Sequence, residues 1–590
     1  MPTTSPRCCA AWPPARTHRP PAPRRRPCPR PRTRPQHPAL IGATRTMTSD
    51  TALRLGDGAT PTESDPTQRL CELFAAALEL DAVTPDTDFF LAGGHSLSAL
   101  TLAVAVEEAF GVRVRVRDVF DAATPELLAS RLAGLVPGAV EPAGPAPARQ
   151  RPDTGLPGAE VAEATRWLWL ERQRGDGDSG AYTVPCLLDG EGAVDADRLA
   201  AALAGLARRH PALRTVFVEA QGEPRAVVTD DVLPLEVVDL RGHDAGDTRF
   251  DALVDERLAM PFDPSAGPLT RTTLFLRDDA RWSLLLLADH LVCDGRSLEI
   301  LATQLVAAYA DPAAAVAPQD RPAHRSSGQE AALDHWRRVL LPPPAPLPLP
   351  VRGLRTEQAG CATGIAVQEI GPDLLRRLTQ LGRRHHAGPF VPLAAAVART
   401  LAAITGSSDI CLGTPVDRRA RLGADDAVGF HVATVPLRLE VRDGTSADDL
   451  VQQVAQRTMD AVDHSEVAFD TLVAALAPPR SPGRMPFFDV WVALYPRIDT
   501  GPCAPGGIAL RGGPIPLRVG MFELSFQFVQ HVDGMRLVLQ YDTARYAADT
   551  AERMVRRLGD EVARLLGDPA EPGPEAAPAH RAFGGFRFDD

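Results

Sequence analysis

Phe89-Phe90-Leu91-Ala92-Gly93-Gly94-His95-Ser96-Leu97 sets a serine at the first turn of a helix, behind a flexible Gly-Gly step and an acidic approach through Asp86 and Asp88. Leu97, Leu100, Val104 and Phe110 follow at helical spacing, and Gly111 is a plausible stop. Upstream, Asp65-Pro66 reads as an N-cap with proline at the first helical position, ahead of Leu70, Phe74, Ala77 and Leu78 on one face. Downstream, Thr124-Pro125-Glu126 caps a helix carrying Leu127, Leu128 and Leu132. These pieces make a small helical unit over residues 62–138. Its twelve acids face five arginines, so surfaces that dock it are expected to be basic.

A bare Gly-x-Ser before a helix is an ordinary N-cap. A nucleophile elbow needs Gly-x-Ser-x-Gly, and Ser98 stands where the last glycine belongs. What singles Ser96 out is the whole string on a small acidic bundle. An anion attached there would lie at a helix N-terminus, where free N–H groups and the dipole favour negative charge. Gly93 and Gly94 would let a modifying enzyme approach the backbone.

The chain of 590 residues is too long for one core. No stretch has the ~18 consecutive apolar residues a membrane helix needs, and a cytoplasmic location is expected. A net charge of -12 argues against nucleic acid as a partner. Every one of the 63 basic residues is arginine, which coding bias explains. The nine cysteines show no metal-ligand spacing, reduced thiols are expected, and no metal site is predicted. His385-His386 reads as a solvated helix end, and the Trp167/Trp169 pair as core. The first 46 residues hold ten arginines, twelve prolines and no acid. So many prolines rule out the amphipathic helix of a transit peptide. Residues 1–61 are read as a disordered extension, with Met47 as the more natural start. Beyond Thr46 the balance is 53 arginines against 75 acids.

Residues 139–158 are a Pro/Ala/Gly linker. Beyond it, helical patterns alternate with β-type runs. Asp195 caps a helix bearing Leu199, Leu203 and Leu206. Ser283–Ala288 is a wholly apolar run that fits a buried strand. Further β-runs at 410–412, 433–439, 489–494 and 535–541 make the class mixed α/β. The proline-dense 342–350 divides the region into lobes at 159–345 and 346–568, and 569–590 is read as a disordered tail.

After the buried strand comes Asp289-His290-Leu291-Val292-Cys293-Asp294-Gly295, placed where a cleft-lining loop belongs. Alone, His-x-x-x-Asp is more often a satisfied polar pair than a catalytic one. Its companions occur in a fixed order: Arg166-Trp167-Leu168-Trp169-Leu170, Arg209 to Phe217, Pro261-Phe262-Asp263, Gly413-Thr414-Pro415-Val416 with Arg419, Gly429-Phe430, Thr434 to Arg438, and His464 to Leu472. This series resembles the condensation domains of nonribosomal peptide synthetases over nearly all of 160–567. The Asp88 to Leu97 string resembles their peptidyl carrier domains.

The resemblance implies a four-helix carrier bundle followed by two chloramphenicol-acetyltransferase-like lobes with a tunnel between them. It implies 4'-phosphopantetheine on Ser96, and an acyltransferase that joins a donor thioester to the amine of an acceptor. His290 would orient the amine or take its proton, Asp294 would pair with Arg419, and Gly295 would give the turn its freedom. Implied partners are a phosphopantetheinyl transferase, a trans-acting adenylation enzyme and a downstream carrier-bearing subunit. The tail, with Phe583, Phe586 and Phe588, is a candidate docking motif.

One position departs: the family's first histidine is Asp289 here. A supporting role is the plain reading. Asp289-x-x-x-x-Asp294-Gly-x-Ser297 also fits heterocyclization domains, which close a Cys, Ser or Thr side chain into a ring. Epimerization fits less well, because the segment around Gly429 to Arg438 resembles the condensing type. Coupling to a free amine and a silent carrier-binding scaffold are further alternatives.

Overall fold

The computed structural model describes residues 65–133 and 159–567, apart from 79, 91, 93, 95, 113, 175–179, 231–232, 243–245, 279–280, 312–328, 353–360, 480–483 and 502–506. The expected N-terminal extension, the linker and the Phe583–Asp590 docking motif lie outside the described residues.

The carrier region forms four helices: α1 (Pro66–Leu78), α2 (Ser96–Phe110), α3 (Val116–Asp121) and α4 (Pro125–Ala133). Asp65 accepts the Thr67 N–H at 3.1 Å, and Thr124 Oγ1 the Leu127 N–H at 3.3 Å, so both expected caps form. Gly111 ends α2 with a φ of +67°, the left-handed turn that glycine adopts at little cost. Leu70, Phe74, Phe89, Leu100, Leu102 and Leu128 fill the core, with Phe74 edge-on to Phe89 at 5.4 Å. A Cβ on Gly94 would run into the Phe89 ring and carbonyl. Its glycine is therefore explained by packing within the bundle, without any approaching enzyme.

The remainder carries two large sheets with separate cores, and a small three-stranded sheet, in the order Ala159–Glu160, Glu223–Val228, Thr215–Ala220, that contributes Phe217 and Ala226 to the first of them. In the first, the central strand Trp282–Asp289 is buried throughout. It pairs antiparallel with Thr183–Glu191 on one side and Thr270–Leu276 on the other. That is why Leu284 to Leu287 carry no polar alternation, each such burial contributing ~1.5–3 kcal/mol. The second sheet runs, in order, Val432–Glu440, Asp409–Asp417, Val490–Tyr495, Leu524–His531, Gly534–Asp542, Cys361–Ile370 and Val519–Gly520. Val490–Tyr495 is parallel to both its neighbours; the remaining pairs are antiparallel.

The lobes do not divide at one point in the sequence. Ala509–Pro514 leaves the second half and pairs with Thr183–Glu191 in the first sheet, followed outward by Ile498–Asp499. Ile498, Ile508, Leu510 and Ile515 join the first core. In the other direction, Ala332, Trp336 and Leu340 of the helix Gln329–Leu340 belong to the second core. The expected boundary at 345 is corrected accordingly. Among the described residues no helix is long and apolar enough to cross a membrane.

Candidate functional site

The loop Asp289–Gly295 leaves the central strand of the first sheet and enters the helix Gly295–Ala310. Its first contact is main-chain, the His290 N–H donating to the Tyr182 carbonyl at 2.8 Å. The loop folds back so that His290 Nδ1 lies 2.8 Å from the Cys293 carbonyl oxygen. A carbonyl only accepts, so Nδ1 carries the hydrogen, and in the neutral ring Nε2 keeps the lone pair. The imidazole is half-buried, with Phe430 edge-on at 5.0 Å.

Asp294 caps the helix and is fully buried. Oδ1 accepts the Ser297 N–H at 2.9 Å, the Ser297 hydroxyl at 2.8 Å and Arg419 Nη2 at 2.8 Å; Oδ2 accepts the His431 N–H at 2.9 Å. Burial pushes this carboxyl up, but the Arg419 charge and the hydrogen bonds outweigh it and hold the group below the usual carboxylate range. Arg419, 2% exposed, also donates to the Ala427 carbonyl at 2.8 Å and to Asp417 at 3.1 Å. The aspartate of the first lobe and the arginine after the second sheet's Asp409–Asp417 strand thus form one buried cluster, the pairing expected of them.

Asp289 lies in the same loop but faces elsewhere. It is 1% exposed and ion-paired with Arg172, whose other arm reaches the Phe262 carbonyl. Its second oxygen accepts the Leu291 N–H at 3.0 Å. Gly295 needs no special freedom: it opens the helix without a positive φ, and a Cβ there would touch the Tyr495 ring at an ordinary 3.7 Å. The expectation that it frees the turn is corrected.

Behind the loop is a cavity of about 670 Å³, lined by Leu291, Val292, Phe430, His431, Arg418 and Glu163 among others. Arg418 is 8% exposed, and its guanidinium is held below its ordinary pKa by burial, opposed by Glu466 and Glu163. Sequence reasoning missed Arg418, Arg172 and His431, and met Ser297 only within the heterocyclization signature. Arg172 lies two residues past the Arg166–Leu170 motif, which is the one signal that could have found it.

Ser96 opens the fifteen-residue α2, whose first turn holds no acidic residue. The positive end of such a helix dipole suits a phosphodiester, so the residues present fit the expected group. His385 Nε2 donates to Asp448 Oδ1 at 3.1 Å, while the neighbouring His386 ring lies 4.9 Å from Phe90 of the carrier, so the pair is more than a solvated helix end. Among the described residues no cluster of His, Cys, Asp and Glu is placed to hold a metal.

The condensation-domain model matches residues 167–577, and that of the phosphopantetheine attachment site matches 68–132. A probable non-canonical nonribosomal peptide synthetase of Salinispora arenicola is 31% identical over 533 residues, covering 85% of this chain and 7% of that protein. The phosphinothricin tripeptide synthetase PhsB of Streptomyces viridochromogenes is 28% identical, covering 86% of this chain and 43% of its own length. The chain thus spans less than half the length of these curated relatives. Among solved structures, the starter condensation domain of rhizomide synthetase, bound to C8-CoA, superposes with a TM-score of 0.59 at 20% identity. That match covers 71% of this chain and 98% of the other.

Proposed function

This chain belongs to the condensation-domain family of nonribosomal peptide synthetases, with a phosphopantetheine attachment domain ahead of it, and from that premise we propose that it forms amide bonds between its own cargo and an acceptor amine. Bound phosphopantetheine supplies a thiol that carries the acyl group as a thioester. Ser96 is the attachment residue in this reading, its place at the start of α2 suiting a phosphodiester.

His290 acts at Nε2. It takes the proton of the acceptor amine as the C–N bond forms and hands it to the departing sulfur, so acyl transfer consumes nothing else. The observation that carries this is the 2.8 Å contact between Nδ1 and the Cys293 carbonyl, which fixes the tautomer with Nε2 as base. Base catalysis of this kind contributes ~10²–10⁴-fold. Alignment of the two reactants can contribute ~7–11 kcal/mol, so placement outweighs proton transfer. Asp294 and Arg419 are buried away from the cleft surface; they fix the loop that presents His290.

Because the carrier precedes the condensation region, its cargo is the donor. Loading by an adenylation enzyme acting in trans, and an acceptor on a separate carrier-bearing subunit, complete the reading. The buried Arg172 partner of Asp289 speaks for support over ring closure by that carboxylate.

The test is intact-mass spectrometry of the full chain with a phosphopantetheinyl transferase, then transfer to an acceptor carrier. Ser96→Ala should abolish the prosthetic mass gain. His290→Ala should keep that gain and lose about 10²–10⁴-fold in amide formation. Unchanged transfer by His290→Ala would discard the mechanism and favour a carrier-binding scaffold.

A further inference from the structure

The carrier and the second lobe meet through a contact the sequence did not announce. The N–H of Val116, the first residue of α3, donates to Asp463 Oδ1 at 2.8 Å. The Arg117 N–H approaches Oδ2 at 3.5 Å. Asp463 ends the helix Ala447–Asp463, is 4% exposed, and also receives Arg421 Nη2 at 3.1 Å. Around this point Ala420, Met459 and Val462 pack against the carrier core. The His386 ring lies 4.9 Å from Phe90 and 6.1 Å from Phe120.

An acidic carrier was expected to meet a basic surface. Here the hydrogen bonds described between them end on an acid, Asp463, and the donors the carrier offers it are main-chain amides. One of the carrier's own acids is meanwhile turned inward: Asp118 takes the Arg115 N–H at 2.9 Å and Arg131 Nη2 at 2.7 Å. A carboxylate this deeply buried needs several donors to remain charged. The carrier supplies two of the three named above.

We propose that Asp463, braced by Arg421, is a docking latch that recognises the carrier through its backbone at Val116 and holds it for delivery into the condensation site. Asp463 is a positioning residue: it touches no substrate and acts through the placement of the carrier. Main-chain amides are present whatever side chains occupy 116 and 117. The latch therefore reads chiefly where the α2–α3 segment runs, with the nearby Arg115 charge a lesser contribution, while the apolar and aromatic contacts at Ala420 and His386 supply side-chain selectivity. Buried hydrogen bonds are also screened less than exposed charge pairs, so docking depends only weakly on salt. The delivery half of this proposal rests on the donor reading above; the docking half does not.

Two measurements on the full chain separate them. Amide hydrogen exchange over the segment holding Val116 and Arg117 should quicken about tenfold in Asp463→Ala, the loss expected for one hydrogen bond to a charged acceptor. Asp463→Asn, whose amide oxygen still accepts, should fall between. In the second arm, acyl transfer is compared for cargo on Ser96 and for the same acyl group as a soluble N-acetylcysteamine thioester. Asp463→Ala should lower carrier-borne transfer about tenfold and leave the soluble donor unaffected. Unaltered exchange at 116–117 overturns the latch. Equal losses with both donors also overturn it, since Asp463 would then merely support the lobe. If the unsubstituted protein uses neither donor, the condensing reading fails while the exchange arm still decides the docking contact.

Discussion

Asp289 stands where the family usually has a histidine, and the fold gives it a buried arginine to hold. Its carboxylate and the Arg172 guanidinium are 1% and 7% exposed, so each is the other's main compensation for lost water. Removing one partner of such a pair costs ~3–5 kcal/mol. Asp289→Asn should therefore lower the unfolding free energy of the lobe by roughly that amount, measured by urea denaturation. The product made by surviving enzyme should keep the mass of a simple amide; a parent protein whose product has lost one further water would restore the cyclizing reading. The sequence could pose the question at Asp289 but not answer it, because Arg172 lies far away along the chain and only the sheet brings the two together. The placement of His290 and Asp294 was legible for the opposite reason. It depends on a loop seven residues long, whose strand and helix flanks both announce themselves.

At the scale of elements, strong patterns were read correctly and weak ones were overridden by their neighbours. Ser283–Ala288 is apolar throughout because it is central in its sheet, and nothing but a buried strand suits it. Val116–Asp121 has six residues, too few for a helical period to show. Ala509–Pro514 lies in a sheet despite its Gly512-Gly513-Pro514 end, a composition usual in turns. A Cβ at Gly512 would run into the Leu187 carbonyl, so the glycine marks close approach between strands. A further element-scale feature is the stacking of His335, on Gln329–Leu340, over His464 at 3.8 Å. Burial and the neighbouring His464, Arg338 and Arg457 lower the His335 pKa from 6.5 to about 4. A base depressed on folding leaves the unfolded chain binding the proton first. Stability should hence fall as pH drops from about 6.5 to about 4. His335→Gln should flatten that slope in thermal unfolding measured across the same window; an unchanged slope would refute the assignment.

For the molecule as a whole, Asp294 and Arg419 are a buried junction between residues of the first lobe and the segment that leaves the second sheet. Arg419→Ala would strand a fully buried carboxylate, at a cost of ~3–5 kcal/mol. The folded carboxyl titrates below its ordinary value of 3.8, so the contribution is complete above that pH and is lost only as pH falls below it. Stability differences between Arg419→Ala and the parent protein should accordingly be largest at neutral pH and shrink on acidification, as the stranded carboxylate, raised by its burial, takes up a proton. A difference that instead grew on acidification would refute the junction.

The strand that returns from the second half has a bearing on biosynthesis. The pair of Thr183–Glu191 and Trp282–Asp289 is complete roughly 220 residues before Ala509–Pro514 arrives to cover the open edge of Thr183–Glu191. At 5–20 residues per second that is about 10–40 s of waiting. Throughout that interval the nascent first lobe presents an open row of amides and carbonyls, a template for other chains. Expression yield should respond to chaperone supply and translation speed more than the final stability would lead one to expect, and a gene cut near codon 345 should give an aggregating fragment instead of a working half.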